Sequence, residues 1–270
     1  MRFATVKGSA FFPFMVFGLI LAELFRWTSL QALWAHPLWF WCSVSAGLLW
    51  AVGQIFGNLA LEEISLAKAR VFANSNSFLN IAVGLIIFRE ASGLQAYLLL
   101  LGGGLLIFLG TWIVSSAKAM PMKEKSLKKG IIFGLLNSFF WGINLAPVKA
   151  LQVWHPDPSL SNLDILTGLV LGGILPVFFF GFFMKRGTWT PRNAGLGIGC
   201  AVLWLLGMAF TFAAIQSLGL SRAIPMINAS ALVYVGWSFF LFKELPLSQG
   251  PKVLSGTLLV ILGIVFLTLT

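Results

Sequence analysis

Apolar runs of about 20 residues, the length that crosses a hydrocarbon core of roughly 30 Å as a helix, recur along this 270-residue sequence. They lie near residues 10–27, 38–61, 66–89, 94–115, 131–150, 163–184, 193–217, 221–242 and 252–270. In lipid the backbone must satisfy its own hydrogen bonds, and a helix does so within one segment. The sequence therefore predicts an all-α polytopic membrane protein with nine transmembrane helices.

The basic residues are distributed unevenly between the two sides of such a protein. Assigning alternate loops to alternate sides places 14 of the 18 lysines and arginines on the side of the N-terminus. Cytoplasmic loops carry an excess of Lys and Arg. We therefore expect a protein of the cytoplasmic membrane, with the N-terminus and the basic linker 116–130 in the cytoplasm and the C-terminus outside. This topology accounts for the formal net charge of +10 without a nucleic-acid partner.

The chain contains an internal repeat. The segment LLWAVGQIFGNLALEEISLAKARVFANS, which begins at residue 48, aligns without gaps with VLWLLGMAFTFAAIQSLGLSRAIPMINA, which begins at residue 202. Trp50 aligns with Trp204 and Asn74 with Asn228, and the match extends to FRE at 88–90 against FKE at 242–244. The ordered series of identities indicates a duplication rather than a biased composition.

The two copies are offset by five predicted helices, so they cross the membrane in opposite directions. This predicts an inverted repeat of five-helix units, an architecture in which transporters hold a midplane site between the halves. We expect a first repeat at 1–115, the linker at 116–130 and a complete second repeat at 131–270. The first repeat then has four helices and lacks its opening helix, a 4+5 arrangement. We expect residues 1–270 to transport poorly unless such a helix, or a second copy in a homodimer, completes the cavity wall.

One segment resembles a known transporter superfamily. SFFWGINLAPVKAL at 138–151 looks like the opening helix of a half in the drug/metabolite transporter superfamily. Its W-G-x-x-x-x-P-x-[KR] pattern and the paired LWxxGxxF segments most resemble those of glucose/ribose porters and L-rhamnose–proton symporters. The resemblance covers essentially the whole chain. It implies ten helices, a sugar substrate and coupling to protons.

Polar side chains are concentrated in the third predicted helix, in VFANSNSFLNI at 71–81. Asn74 precedes Asn76 and Asn80, which lie one turn apart on one helix face. Their repeat counterparts are Asn228, Ser230 and Tyr234. We expect these groups to bind a hydroxyl-rich or otherwise polar solute. The alternative is hydrogen bonding between helices, which is common for Ser and Asn in membranes.

Two other predicted helices add polar and aromatic groups. The second presents Trp50, Gln54 and Asn58, and one face of the fifth presents Asn137, Trp141 and Asn144. Tryptophan can stack on the apolar face of a sugar ring while amides bind its hydroxyls. For the duplicated Trp50 and Trp204, a structural role is equally consistent with the pattern. Pro147 predicts a kink or local opening in the fifth helix, because proline removes a backbone donor.

Proton coupling would need a titratable group, and the chain has eight acidic residues. None lies at the centre of a predicted span. Acids within membrane segments are functional candidates by default, so Glu23, about a turn from a helix end, and Glu62, at the cytoplasmic end of the second helix, are the candidates for coupling. Interfacial placement is the commoner explanation for both. His36 and His155 lie in connecting loops, without metal-ligand spacing.

These observations predict a secondary transporter that moves a small polar solute, expected to be a sugar, by alternating access. The alternatives are an exporter of amino acids or other metabolites of the same superfamily, and a transport-inactive truncated membrane protein. Side-chain types do not separate the two transporters cleanly. An enzyme is not expected, since the sequence has no clustered catalytic residues and no P-loop. No cofactor or metal is predicted.

Overall fold

The computed structural model describes residues 17–23, 26–64, 69, 72–116, 125–181, 191–230, 232–233 and 247–270. This described part of the chain is helical and contains no strand. Its helices are α1 (Trp27–Trp34), α2 (Pro37–Glu63), α3 (Asn76–Ile86), α4 (Leu94–Ser115), α5 (Leu127–Ile143), α6 (Ala146–Trp154), α7 (Asn162–Gly181), α8 (Pro191–Leu218), α9 (Leu220–Asn228) and α10 (Gly250–Thr268). A short 3₁₀ turn, Leu247–Gln249, precedes α10.

Every predicted span contains helix in its described residues, so the all-α polytopic fold class is confirmed. Five described segments are long and apolar enough to cross a membrane: Pro37–Glu63, Leu94–Val114, Leu127–Trp154, Gly195–Leu218 and Gly250–Thr268. A shorter apolar helix occupies Asn162–Pro176. The protein is therefore a multi-pass membrane protein.

One predicted loop is helical. The residues between the first and second predicted spans form α1, which the sequence pattern did not indicate. Leu33 of α1 is fully buried, and a Cβ added at Gly168 of α7 would lie 2.8 Å from the Leu33 side chain. Contact with α7 therefore stabilises a helix too short for its apolar pattern to be recognised in the sequence.

The fifth predicted span is interrupted near Pro147, as expected. α5 ends at Ile143, and α6 begins at Ala146 with Pro147 in its first turn. Proline cannot donate to the carbonyl of Ile143, four residues earlier, so the helical hydrogen bonds are broken at this point. The break lies at Asn144 and Leu145, and Asn144 is one of the predicted site residues.

The chain divides into two compact units. The first consists of Met1–Leu59 and Asn144–Ala213, and the second of Ala60–Ile143 and Ala214–Thr270. Each unit contains helices from both sequence repeats. This division into units does not test the predicted repeat boundaries at 115 and 131, which remain a prediction. α2 and α8 cross from one unit to the other.

In the first unit, glycines bring helix backbones close together. Gly47 of α2 meets the backbone of Leu169, and Gly172 of α7 meets that of Val44. The repeat aligns Gly172 with Gly18, and a Cβ on Gly18 would lie 2.8 Å from the Ala201 side chain of α8. Ala201 is itself the repeat counterpart of Gly47, so the same packing occurs twice. Small residues suit such contacts because close approach, rather than the hydrophobic effect, holds helices together in lipid.

In the second unit, α4 and α10 pack against each other and run antiparallel. A Cβ added at Gly103 would lie 2.9 Å from the Gly263 carbonyl oxygen, and one added at Gly110 would lie 2.5 Å from that of Gly256. A later residue of α4 thus faces an earlier residue of α10, as in an antiparallel pair. α4 and α10 are repeat counterparts, and their opposite directions are those of an inverted repeat.

Candidate functional site

The polar segment at the start of α3 contacts α9 within the second unit. Asn76, Ser77 and Asn80 are all buried. The Asn228 side-chain amide donates to Asn76 Oδ1 at 2.6 Å and to Ser77 Oγ at 2.7 Å. Asn80 Nδ2 donates to the Asn76 backbone carbonyl at 2.9 Å. The structure therefore brings together three of the predicted site residues, Asn76, Asn80 and Asn228.

Several buried polar atoms of the second unit have no hydrogen-bond partner among the described residues: Asn74 Nδ2, Asn80 Oδ1, Thr111 Oγ1, Ser221 Oγ and Arg222 Nε. Leaving a buried polar atom unpaired costs about 1–3 kcal/mol. Asn80 is 1% exposed, so its free oxygen is an acceptor that bulk water does not reach freely. The amide donor, the amide acceptor and the two hydroxyls are neutral, whereas Arg222 Nε belongs to a charged guanidinium.

α5 also contributes polar groups to the second unit. Asn137 and Ser138 are buried, and the Ser138 and Ser75 hydroxyl oxygens lie 2.7 Å apart. A Cβ added at Gly134 would meet the Phe72 side chain at 2.6 Å. α5 is thus seated on the residues that lead into α3. Trp141 of the same helix is half-buried.

Four residues of the predicted set belong to the first unit: Trp50, Gln54, Asn58 and Asn144. Ser230 is exposed in the turn after α9, where its amide donates to the Ile227 carbonyl. Tyr234 lies outside the described residues, as does most of the linker 116–130.

Glu90 is a residue of this unit whose role the sequence reasoning missed. Its two carboxylate oxygens accept hydrogen bonds of 2.7 Å from the backbone amides of Leu220 and Ser221. Gly219, with φ of +83°, lies beside the carboxylate at the entry to α9. A carboxylate at a helix N-terminus satisfies free amides and interacts favourably with the helix dipole. Glu90 therefore positions α9. The sequence signal that could have identified Glu90 is the acidic residue shared by the repeated segments FRE and FKE.

Thr111 was also missed, because a single threonine in an apolar helix gives no sequence signal. It lies on α4 with 2% exposure.

In the first unit, Gln54 and Asn58 of α2 form a hydrogen-bonded pair. Gln54 Nε2 donates to Asn58 Oδ1 at 3.1 Å. Asn58 is buried, and its Nδ2 has no partner among the described residues. Gln54 and Asn58 therefore form a pair, and Asn58 Nδ2 is the donor that remains available to a ligand.

The duplicated tryptophans of the first unit contact each other. The Trp50 and Trp204 ring centroids are 4.5 Å apart with an interplanar angle of 43°. A Cβ on Gly173 of α7 would meet the Trp50 ring at 3.3 Å. Trp50 is buried in these contacts, which favours the structural alternative over a stacking surface for a sugar.

Two buried charged residues belong to the first unit. Glu23 Oε1 accepts a hydrogen bond of 3.0 Å from Arg26 Nη1, and Arg26 Nη2 donates to the Leu163 carbonyl. The other carboxylate oxygen of Glu23 is buried, and the Thr167 hydroxyl is the neighbouring polar group. Lys149 of α6 is 9% exposed. Of the two acids predicted for coupling, Glu23 is held in the interior, whereas Glu62 is exposed in the last turn of α2.

Comparison with known proteins identifies the family. Residues 128–269 match the EamA-like transporter family, which is more than half of the chain. The chain belongs to the EamA-like transporter family. This membership confirms the predicted resemblance to the drug/metabolite transporter superfamily. The chain is therefore a transporter.

Two named proteins are similar to the chain at low identity. The chain is 26% identical over 241 residues to a Priestia megaterium protein named "Probable glucose uptake protein GlcU", covering 86% of this chain and 80% of that protein. It is 23% identical over 265 residues to a Listeria monocytogenes protein named "Putative sugar uptake protein", covering 90% of this chain and 87% of the relative.

A solved crystal structure shares the fold. It matches with a TM-score of 0.68 and 16% identity, covering 99% of this chain and 88% of its own.

Proposed function

We propose that this EamA-like transporter is a secondary carrier for a neutral, hydroxyl-rich solute, namely a sugar, across the cytoplasmic membrane. The carrier works by alternating access, and its N-terminus and linker 116–130 face the cytoplasm. Relatives named as sugar uptake proteins support this substrate class.

The buried set of unpaired polar atoms in the second unit carries the proposal. A sugar hydroxyl both donates and accepts hydrogen bonds, so it can satisfy an amide nitrogen such as Asn74 Nδ2 and an amide oxygen such as Asn80 Oδ1. A zwitterionic amino acid would instead call for charged partners, because burying an unpaired charge costs more than burying an unpaired amide. In this set the amides and hydroxyls are neutral. They match the hydroxyls of a sugar, but Arg222 Nε is a charged donor in the same unit, so the preference for a sugar over an amino acid also draws on the relatives named as sugar uptake proteins.

Glu23 is the proposed site of proton coupling. One of its oxygens accepts a hydrogen bond from Arg26 and the other is buried, so protonation would remove a negative charge that is costly to bury. We expect Glu23→Gln to abolish accumulation of sugar against its gradient while leaving exchange of labelled for unlabelled sugar intact. The matched control is Glu62→Gln, at an exposed acid. Loss of accumulation in the control instead would assign the coupling to Glu62.

The proposed function is tested by measuring uptake in two strains. One strain lacks the gene, and in the other the gene has been restored together with its upstream DNA. Labelled glucose, ribose and rhamnose are compared with labelled amino acids. Saturable uptake of a sugar that depends on the restored gene is the expected result. Gene-dependent movement of amino acids, with no effect on any of the sugars, would reject the sugar assignment.

A further inference from the structure

A recess of about 410 Å³ lies in the first unit, between the turn that precedes α2 and the turn that follows α6. This volume is within the range of small-molecule sites, roughly 300–1,000 Å³. The charge distribution predicts that both turns lie on the outer side of the membrane. The residues that matter for binding are His36, Leu38, Trp39, His155, Pro156 and Asp157.

A close polar contact joins the two turns that form the recess. His36 Nδ1 and Asp157 Oδ2 are 2.8 Å apart. The other carboxylate oxygen of Asp157 accepts hydrogen bonds from the Ser159 hydroxyl at 2.6 Å and the Ser159 amide at 3.0 Å. These hydrogen bonds, with a smaller contribution from His36, hold the pKa of Asp157 below its ordinary value. The carboxylate is therefore ionised and fixed in place at neutral pH.

The recess offers polar and apolar contacts side by side. An ionised carboxylate has about four lone-pair positions, and three of those on Asp157 are used by the hydrogen bonds above. One acceptor position remains for a ligand hydroxyl. The exposed imidazole of His155 can donate or accept, and the exposed Leu38 and Pro156 provide apolar surface, whereas Trp39 also lines the recess but is 6% exposed. Hydroxyl groups beside an apolar ring face are the chemistry of a saccharide.

We propose that this recess is a second, outer binding site for one saccharide ring, separate from the buried polar set of the second unit. The inference rests on the proposed function for the identity of its ligand. A divalent metal ion fits less well, because the described residues contain no group of three His, Cys, Asp or Glu side chains that could hold one.

The histidines make this site directly measurable. The chain has two histidines, and both line the recess. NMR spectra of purified protein in lipid nanodiscs, labelled only at histidine, therefore report on the recess alone. Glucose, ribose and rhamnose are titrated in turn, with glycine betaine as an osmotic control. We expect both histidine signals to shift saturably with at least one sugar and to remain unchanged with betaine.

Two variants locate the effect. Asp157→Asn removes the charged acceptor and is expected to weaken the sugar dependence of the histidine shifts roughly fivefold or more. Asn80→Ala, in the other unit, is expected to leave that dependence unchanged. If Asp157→Asn does not fold, Asp157→Glu, which keeps the carboxylate, replaces it and is expected to retain the shifts with altered affinity.

The outcomes separate this inference from the proposed function. Gene-dependent sugar uptake with no histidine shifts at concentrations that saturate uptake would overturn the outer site and leave the carrier intact. Saturable shifts without uptake of any sugar would support the outer site and reject the carrier. Shifts that disappear in Asn80→Ala but persist in Asp157→Asn would also overturn the outer site, because they would originate at the buried set.

Discussion

At the scale of single residues, Asn80 is the side chain on which the account depends most. Its nitrogen donates to the Asn76 carbonyl, whereas its oxygen is buried without a partner among the described residues. A helix–helix role would use both ends of the amide for protein contacts. The free acceptor instead favours a role in binding the solute.

Asn80→Ala is expected to raise the sugar concentration for half-maximal uptake several-fold to about tenfold. The reason is the loss of one neutral hydrogen bond, worth about 0.5–1.5 kcal/mol. Uptake kinetics normalised to the amount of protein in the membrane measure the effect. Gln95→Ala, which removes an exposed amide at the start of α4, is the matched control. Normal affinity combined with lower thermal stability would instead support helix–helix hydrogen bonding.

Glu90 makes a second residue-scale prediction, concerning stability. Glu90→Gln removes the charge and leaves one acceptor oxygen for the two amides of Leu220 and Ser221. We expect a loss of about 1–2 kcal/mol in the free energy of unfolding. Thermal or denaturant unfolding of the purified protein measures it. Glu62→Gln, at an exposed acid, is expected to change stability by less than about 0.5 kcal/mol. Equal stability of the two variants would contradict the capping role.

At the scale of helices, glycines determine which surfaces can approach. Gly110→Ala would place a Cβ 2.5 Å from the Gly256 carbonyl oxygen and force α4 and α10 apart. Overpacking of this kind costs about 1–3 kcal/mol. Among the described residues, a Cβ added at Gly207 of α8 meets no atom within 4 Å. Gly207→Ala is expected to be neutral or to stabilise by up to about 1 kcal/mol through helix propensity. Melting temperatures compare the two, and equal destabilisation would contradict the described packing.

Helices with long apolar runs were predicted well from the sequence. Helices that depend on contacts with other helices were predicted poorly. The apolar runs predicted α2, α4 and α10, and Pro147 predicted the break between α5 and α6, because these signals are local. α1 was missed because it is stabilised by contact with α7. Trp50 and Trp204 occupy the same repeat position and Asn76 and Asn228 occupy different ones, and in neither case does the alignment indicate that the two side chains meet. Periodicity specifies a face of one helix, but it does not specify which other helix that face meets.

The candidate site was predicted in part for the same reason. Residue type selected Asn76 and Asn228, whose side chains are hydrogen-bonded, and Asn80, which bonds the backbone of Asn76. It gave no reason to select Thr111. The two histidines were separated by more than a hundred residues and looked unrelated, yet both line one recess.

At the scale of the whole molecule, the distribution of basic residues predicts the orientation in the membrane. A single cysteine at position 123, in a background where Cys42 and Cys200 are replaced by serine, is expected to resist an impermeant thiol reagent added to intact cells. A cysteine at position 270 is expected to react. Opening the cells should make position 123 reactive and so show that the cysteine is available. Reaction at position 123 in intact cells would reverse the orientation.

Counterflow in proteoliposomes tests the central claim, that a neutral set of buried amides and hydroxyls makes this family member a sugar carrier. Vesicles containing the purified protein are loaded with an unlabelled sugar and diluted into a trace of the same labelled sugar. The account predicts a transient accumulation of label, competed by related sugars and not by amino acids, and weakened in Asn80→Ala. Accumulation with a loaded amino acid but with none of glucose, ribose or rhamnose would contradict it.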